Sequence, residues 1–440
     1  MTTTGTRPAR RPRGALATTV ALLLVTTACG GGSGSGGGGG GGASEEYSAP
    51  DSDLSASLTY SVWDQTQVDS IQQNIAGFQE QYPDVDVSVD VTPFGEYWTK
   101  LQTQASSGTL PDLFWMNGPN FQLYASNDFL APLTGAVEAG DVDPANYPES
   151  LIDLYTYDDV EYGVPKDFDT IAIWANRAIF EQAGVPVPEG DWTWEEFQST
   201  AAQISQALGD QGVYGAAGGM DGQTTYYDTI YQAGGSVIED GESAYDTPEA
   251  QAGIDFWREL IESGGSPTMA QLTDTTADQW FTSGKLGMYW GGSWFRAALS
   301  DSAVADDVVA LPLPTGQEQA TVIHGVSNVV AASSDQKQAA QALQVYLASE
   351  DAQRQLGEAG SVIPAYTGTQ DAFVASMPDA DLQVFLDALD YAQPLPVSEN
   401  TAEWNALEVE LLPQAFSGAE PVEEVTTELA QRMDTVLAEG

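Results

Sequence analysis

Three ionisable side chains, Lys166, Asp167 and Asp169, fall within four residues of the stretch Tyr162–Arg177. They stand directly before the apolar run Thr170–Trp174, and Tyr162-Gly163-Val164-Pro165 ahead of them reads as a turn or strand end. Carboxylates and an ammonium at the mouth of a buried strand keep their hydrogen-bonding capacity available instead of losing it to the core. A ligand cleft needs this, and so does a hinge between two lobes. Lys166 therefore has two readings, a hinge ion pair with Asp167 or a ligand contact. Asp64, next to Trp63, and Asn117, after Pro111–Met116, stand at the exits of two further apolar runs. Each has a local reading as well: Asp64 as the cap of a following helix, Asn117 as a turn residue before Gly118-Pro119.

The elements that must position these residues alternate in type. Leu58–Trp63 alternates apolar and polar and runs into Asp64. Ile71, Ile75, Phe78 and Tyr82 recur at helical spacing over Val68–Tyr82, which Pro83 stops. Val85, Val87, Val89 and Val91 alternate with Asp86, Ser88 and Asp90, the pattern of a half-buried strand. Tyr97–Ser107 predicts a second helix closed by Gly108, and Pro111–Met116 a third strand. Strand, helix, strand, helix, strand implies a doubly wound α/β lobe with a mostly parallel sheet. In such sheets ligands sit beyond the carboxyl ends of the strands, which are Trp63-Asp64 and Trp115-Met116-Asn117 here.

Beyond Asp169 the pattern becomes more helical. Thr193 with Glu196 predicts a capping box, and Thr247-Pro248 a capped helix start. Leu286–Trp290 reads as a short apolar strand that ends in Gly291-Gly292. Val322–Ala332 reads as a strand whose entry holds His324, expected to be structural. Ser361–Tyr366 reads as a Pro-containing crossover, and residues 370–440 as mostly helical. No internal repeat is visible.

Composition narrows the function classes. A chain of 440 residues has room for two cores. Its formal net charge of −51, from 13 basic and 64 acidic residues, repels nucleic acid and anionic headgroups. The acidity serves solubility or adaptation to high salt, where ions screen self-repulsion. One cysteine, Cys29, excludes an intrachain disulfide and a thiolate metal cluster; one histidine excludes a two-His zinc site. No metal and no cofactor are expected.

Residues 1–28 read as an export signal, with Arg7, Arg10, Arg11 and Arg13 ahead of the mostly apolar Ala15–Val25. Val25-Thr26-Thr27-Ala28-Cys29-Gly30 resembles a bacterial lipoprotein cleavage site in which Cys29 becomes lipidated, although Thr26 stands where leucine is usual. The Gly/Ser run 30–42 cannot pack. Residues 29–56 are accordingly expected to form the lipidated cysteine and a flexible tether.

Over almost all of 57–435 the chain resembles the sugar-binding extracellular solute-binding proteins of ABC transporters, the maltodextrin-binding-protein-like group. The resemblance is carried by the order and spacing of PDLFWMN, YGVPKDFDTIAIWANRAIFEQAGV, WTWEEF, FTSGKLGMYWGGSW, HGVSNVVAASS, LASEDAQRQL and GSVIPAY. It implies an α/β, type II periplasmic-binding-protein fold: two lobes, each a mostly parallel sheet flanked by helices, joined by hinge strands. Lobe one would be 57–166 plus 324–363, and lobe two 167–323 plus 364–440.

The resemblance also implies a sugar held between the lobes and, on closure, delivered to ABC permease subunits in the membrane. Neutral sugars need carboxylates and amides for their hydroxyls and aromatics for their apolar ring faces. Asp64, Asn117 and Trp63 are such an inventory. Carried over residue by residue, the resemblance adds Asp169, with Asp167 beside it, then Trp290, Gly292 and Trp294 as the motif of a stacking tryptophan. Trp404 matches another stacking position, and Tyr226 lies where the family places an aromatic. A monomer, lipid-anchored on the extracellular face of a Gram-positive type cell membrane, is expected. Two other readings stay open: a secreted glycoside hydrolase, since carboxylates and Trp-lined clefts serve both tasks, and a binding protein for another solute such as a polyamine.

Overall fold

The structure is a computed structural model that describes residues 47–299 and 302–439. The proposed signal, Cys29 and the Gly/Ser run lie outside the described residues. Valine alternation and the Pro83 stop act as expected: Ala56–Val62 and Val85–Val91 pair in parallel, Ala56 opposite Val85 and Val62 opposite Val91. The helix Val68–Gln81 connects them. Leu113–Asn117 pairs in parallel on the other side of Ala56–Val62.

Two long-range strands extend this first sheet. Thr321–Val330 runs antiparallel to Leu113–Asn117 and to Pro165–Asp169, and Ile363–Pro364 runs antiparallel to Pro165–Asp169. A second, four-stranded sheet has the order Val308–Leu311, Ile171–Asn176, Leu286–Gly292, Tyr214–Gly218. Only its last pair is parallel. Pairing is thus mixed rather than mostly parallel. Strands that return from one sheet to the other come back head to tail with their neighbours, and that direction depends on connections that local alternation does not encode.

The chain leaves the first sheet after Asp169 and enters the second at Ile171. Thr170 sits in the step, its hydroxyl donating to the Phe385 carbonyl at 2.7 Å. On the return, Thr321–Ile323 pairs with Ala392–Pro394, and pairing with Pro165–Asp169 begins at His324.

Two apolar cores form around the two sheets. A third cluster bridges them: Phe168 from the first sheet packs with Ala172 and Trp174 from the second, and with Ile363 and Phe385. Part of 47–56, expected to belong to the tether, packs on the folded body. Leu54 and Ala56 pack on the first core, and the Tyr47 hydroxyl donates to Asp141 at 2.9 Å.

Candidate functional site

A cavity of about 510 Å³ is walled by strand residues of the first sheet, by the segment after its first strand and by segments that follow two strands of the second sheet. The strand Pro165–Asp169 supplies Asp167 and Asp169, which are 4% and 8% exposed. Asp167 accepts the Val326 N–H at 2.9 Å and pairs with the Lys166 ammonium. Lys166 does not line the cavity. Its Nζ donates to Gln67 Oε1 at 2.9 Å and lies 4.3 Å from the centroid of the Trp115 ring. Of the two readings of Lys166, the ion pair is the one found. A buried ammonium held by a carboxylate, an amide oxygen and a ring face has its charge compensated on several sides.

Asp169 sits between two elements. Gln223 Nε2 donates to it at 3.0 Å, and His324 Nδ1 lies 3.7 Å from its other oxygen. His324 Nε2 accepts the Gly118 N–H at 3.1 Å, so that nitrogen is unprotonated and the ring proton belongs on Nδ1, toward Asp169. Burial raises the Asp169 pKa, and the His324 contact works against that rise. His324, read from sequence as structural, is also a cavity residue.

Asp64 fills both of its readings. It caps the turn after the first strand, accepting from Thr66 N–H at 2.8 Å and Gln67 Nε2 at 2.9 Å, and it lines the cavity. Asp221 does the same in the second half: it accepts the Thr224 N–H at 3.0 Å and caps the turn Gly222–Tyr226, whose Gln223 and Thr224 also line the cavity. Burial raises the pKa of its carboxyl. Asn117 lines the cavity with its amide oxygen accepting from Asn120 Nδ2 at 2.8 Å. The Ser293 hydroxyl, also on the wall, is buried and has no hydrogen-bond partner among the described residues.

Trp63 and Trp294 are both in the wall. Trp63 is braced by Tyr97 at 5.1 Å and Trp115 at 4.9 Å between ring centroids, both in edge-to-face contact. Trp294 is braced by a close approach to Gly292, where a built Cβ would stand 1.9 Å from the indole.

Four expected residues lie elsewhere. Trp290 is fully buried in the second core, its indole N–H donating to Asp228 at 3.0 Å and its ring 5.1 Å from Trp257. The strand Leu286–Gly292 is buried along its whole length, and Trp290 packs into the second core against Phe197, Phe256 and Trp257. Trp404 is likewise fully buried, donating to Ser398 Oγ at 2.9 Å. Tyr226 turns away from the cavity and donates to Glu408 at 3.1 Å. Gly292 gives its open space to the Trp294 ring and is absent from the cavity wall. Asp221 was legible but missed: Asp221-Gly222 precedes a helical stretch as Asp64 does. Phe94 follows Pro93 with no sequence signal of its own.

Acceptors at the base, amide groups on both sides, hydroxyl groups on one and two tryptophans fit a ligand with many hydroxyls and an apolar face. Among the described residues no group of three or more His, Cys, Asp or Glu could hold a metal ion.

Residues 63–354 match the family model of the bacterial extracellular solute-binding proteins. The chain belongs to that family. This solute-binding protein is 23% identical to the galactooligosaccharide-binding protein of Bacillus subtilis, covering 86% of this chain and 89% of that one. It is 24% identical to the diacetylchitobiose binding protein of Streptomyces coelicolor, with coverages of 71% and 74%. Its fold resembles an ABC substrate-binding protein from Listeria monocytogenes in complex with cycloalternan, with TM-score 0.82 and 23% identity over 88% of this chain and 100% of the other. The two-lobed architecture is that of such proteins. Among the described residues no helix is long and apolar enough to cross a membrane.

Proposed function

We propose that this solute-binding protein is the capturing component of an ABC importer and holds a mono- or oligosaccharide between its lobes. The observation that carries the reading is that residues of both halves, Asp64 and Asn117 on one side and Gln223 and Trp294 on the other, surround one cavity. A sugar touching both halves favours the closed form, so binding shifts a hinge equilibrium. The unpaired Ser293 hydroxyl is a group that a ligand hydroxyl would satisfy. The names of the relatives, binders of galactooligosaccharide and diacetylchitobiose, support a saccharide.

In this reading Trp63, Asp64, Asn117, Asp167, Asp169 and Trp294 contact the sugar. Lobe one is 57–169 plus 324–363, with the rest of the folded body in lobe two. The protein works as a monomer without cofactor or catalysis. Cys29 carries a lipid that holds it at the extracellular face of the membrane, where the closed form docks on permease subunits.

A thermal-shift screen over mono- and oligosaccharides, with spermidine and sugar-release assays alongside, tests this. Stabilisation by a sugar without hydrolysis is expected. Release of sugar, or stabilisation by spermidine alone, overturns it.

A further inference from the structure

We infer that Phe94 is a stacking platform at the mouth of the cleft for the second ring of a saccharide, so that the ligand has two or more rings. The inference rests on the sugar-capture reading above and adds a residue and a minimum ligand length to it.

Phe94 lines the same cavity as Asn117, Asp167 and Asp169, yet it is 53% exposed where they are 8%, 4% and 8% exposed. The carboxylates therefore form the floor and Phe94 the rim. Phe94 and Val409 are the large apolar side chains that stand exposed among the described residues, and Val409 is not in the cavity wall. An uncovered aromatic face in water is unfavourable, and burying it on a ligand recovers that cost.

The residue is also held in place. It is the first residue of the helix Phe94–Ser107, directly after Pro93. Its ring meets Trp63 at 5.7 Å and 70°, and Trp98 at 6.4 Å and 90°. Both are edge contacts, so neither neighbour stacks flat on it. A single pyranose seated on the floor carboxylates leaves Phe94 wet. A second ring joined to the first reaches the rim and lays its C–H face on the phenyl ring. The cavity volume, about 510 Å³, lies within the range of sites that enclose ligands of this size.

Calorimetric titration of the wild type, Phe94→Ala and Phe94→Tyr tests this. The probes are maltose, cellobiose, lactose and diacetylchitobiose, each beside its monosaccharides. The wild type is expected to bind one of the disaccharides more tightly than its monosaccharide. Phe94→Ala should lose about tenfold on that disaccharide and change the monosaccharide by less than about twofold, with Phe94→Tyr near wild type. Equal losses on both ligands, or no loss on either, overturn the subsite while sugar capture stands. Absence of binding by every sugar to the wild type overturns the capture reading and the subsite together.

Discussion

Gly292 lies against the indole of Trp294 so closely that a methyl group on its Cα would stand 1.9 Å from Cζ3. The backbone of Gly292 has φ −76°, which alanine adopts freely, so the glycine is required by the ring and not by the turn. Gly292→Ala should push Trp294 from its place. Sugar affinity is expected to fall about tenfold while the melting midpoint drops by only a few degrees, on the scale of a stacking contact and a small steric change. Titration and thermal melting of the variant check both.

Trp294→Ala should weaken sugar binding by about 1–2 kcal/mol, the range of a well-packed aromatic contact. Trp290→Phe should do the reverse. It removes the indole N–H that satisfies buried Asp228 and so costs about 1–3 kcal/mol of stability, with affinity held within about twofold. Denaturant titration beside calorimetry separates the two tryptophans. Equal effects on both properties in either variant would place that ring in the wrong group.

Glu408 is buried and receives hydrogen bonds from Tyr226, Tyr227, Tyr245 and Asn405. Burial raises its pKa from 4.5 to about 7. The folded form therefore holds a proton that the unfolded chain has already lost. The contribution of this group is fully present below about pH 4.5 and is lost as pH rises toward 7, by about 3 kcal/mol in all. Glu408→Gln cannot ionise. Plotted against pH from 4.5 to 8, its melting midpoint should fall less steeply than that of the wild type; parallel curves would mean that Glu408 is ionised throughout.

The acidic residues behind the chain's net charge of −51 lie almost wholly in the folded body, where they repel one another. Added salt shortens the reach of that repulsion to about 8 Å at 0.15 M. The melting midpoint should rise between low salt and 0.5 M NaCl, and a flat or falling midpoint would show that surface repulsion does not limit stability.

Strands and helices of the first half were legible because valine alternation and Pro83 act over a few residues. The strand Val85–Val91 appears with the expected limits, and the capping box of Thr193 and Glu196 forms with both of its hydrogen bonds. Pairing direction was not legible, since it depends on which distant strand comes back alongside. The cleft shows the same division. Asp64, Asn117 and Asp169 stand at strand ends, a place that sequence marks. Trp290 and Trp294 are close in sequence, and their opposite fates depend on where the strand ends: Trp290 lies inside the buried strand Leu286–Gly292, and Trp294 in the turn Ser293–Phe295 just beyond it. Tyr226 was lost for a related reason: the turn Gly222–Tyr226 sends Gln223 and Thr224 into the cavity and the tyrosine ring away from it. Lys166 could not be assigned until its distant partner Gln67 was known.

Asp64 and Asp221 each fasten the start of a helical turn while they line the cavity. Change at either position is penalised in folding before any effect on diet can be selected, so both should drift slowly in a lineage. Phe94, on the rim with more than half its surface in water, carries no such debt. New nutrients are therefore expected to be acquired first through the rim, with the floor inherited unchanged.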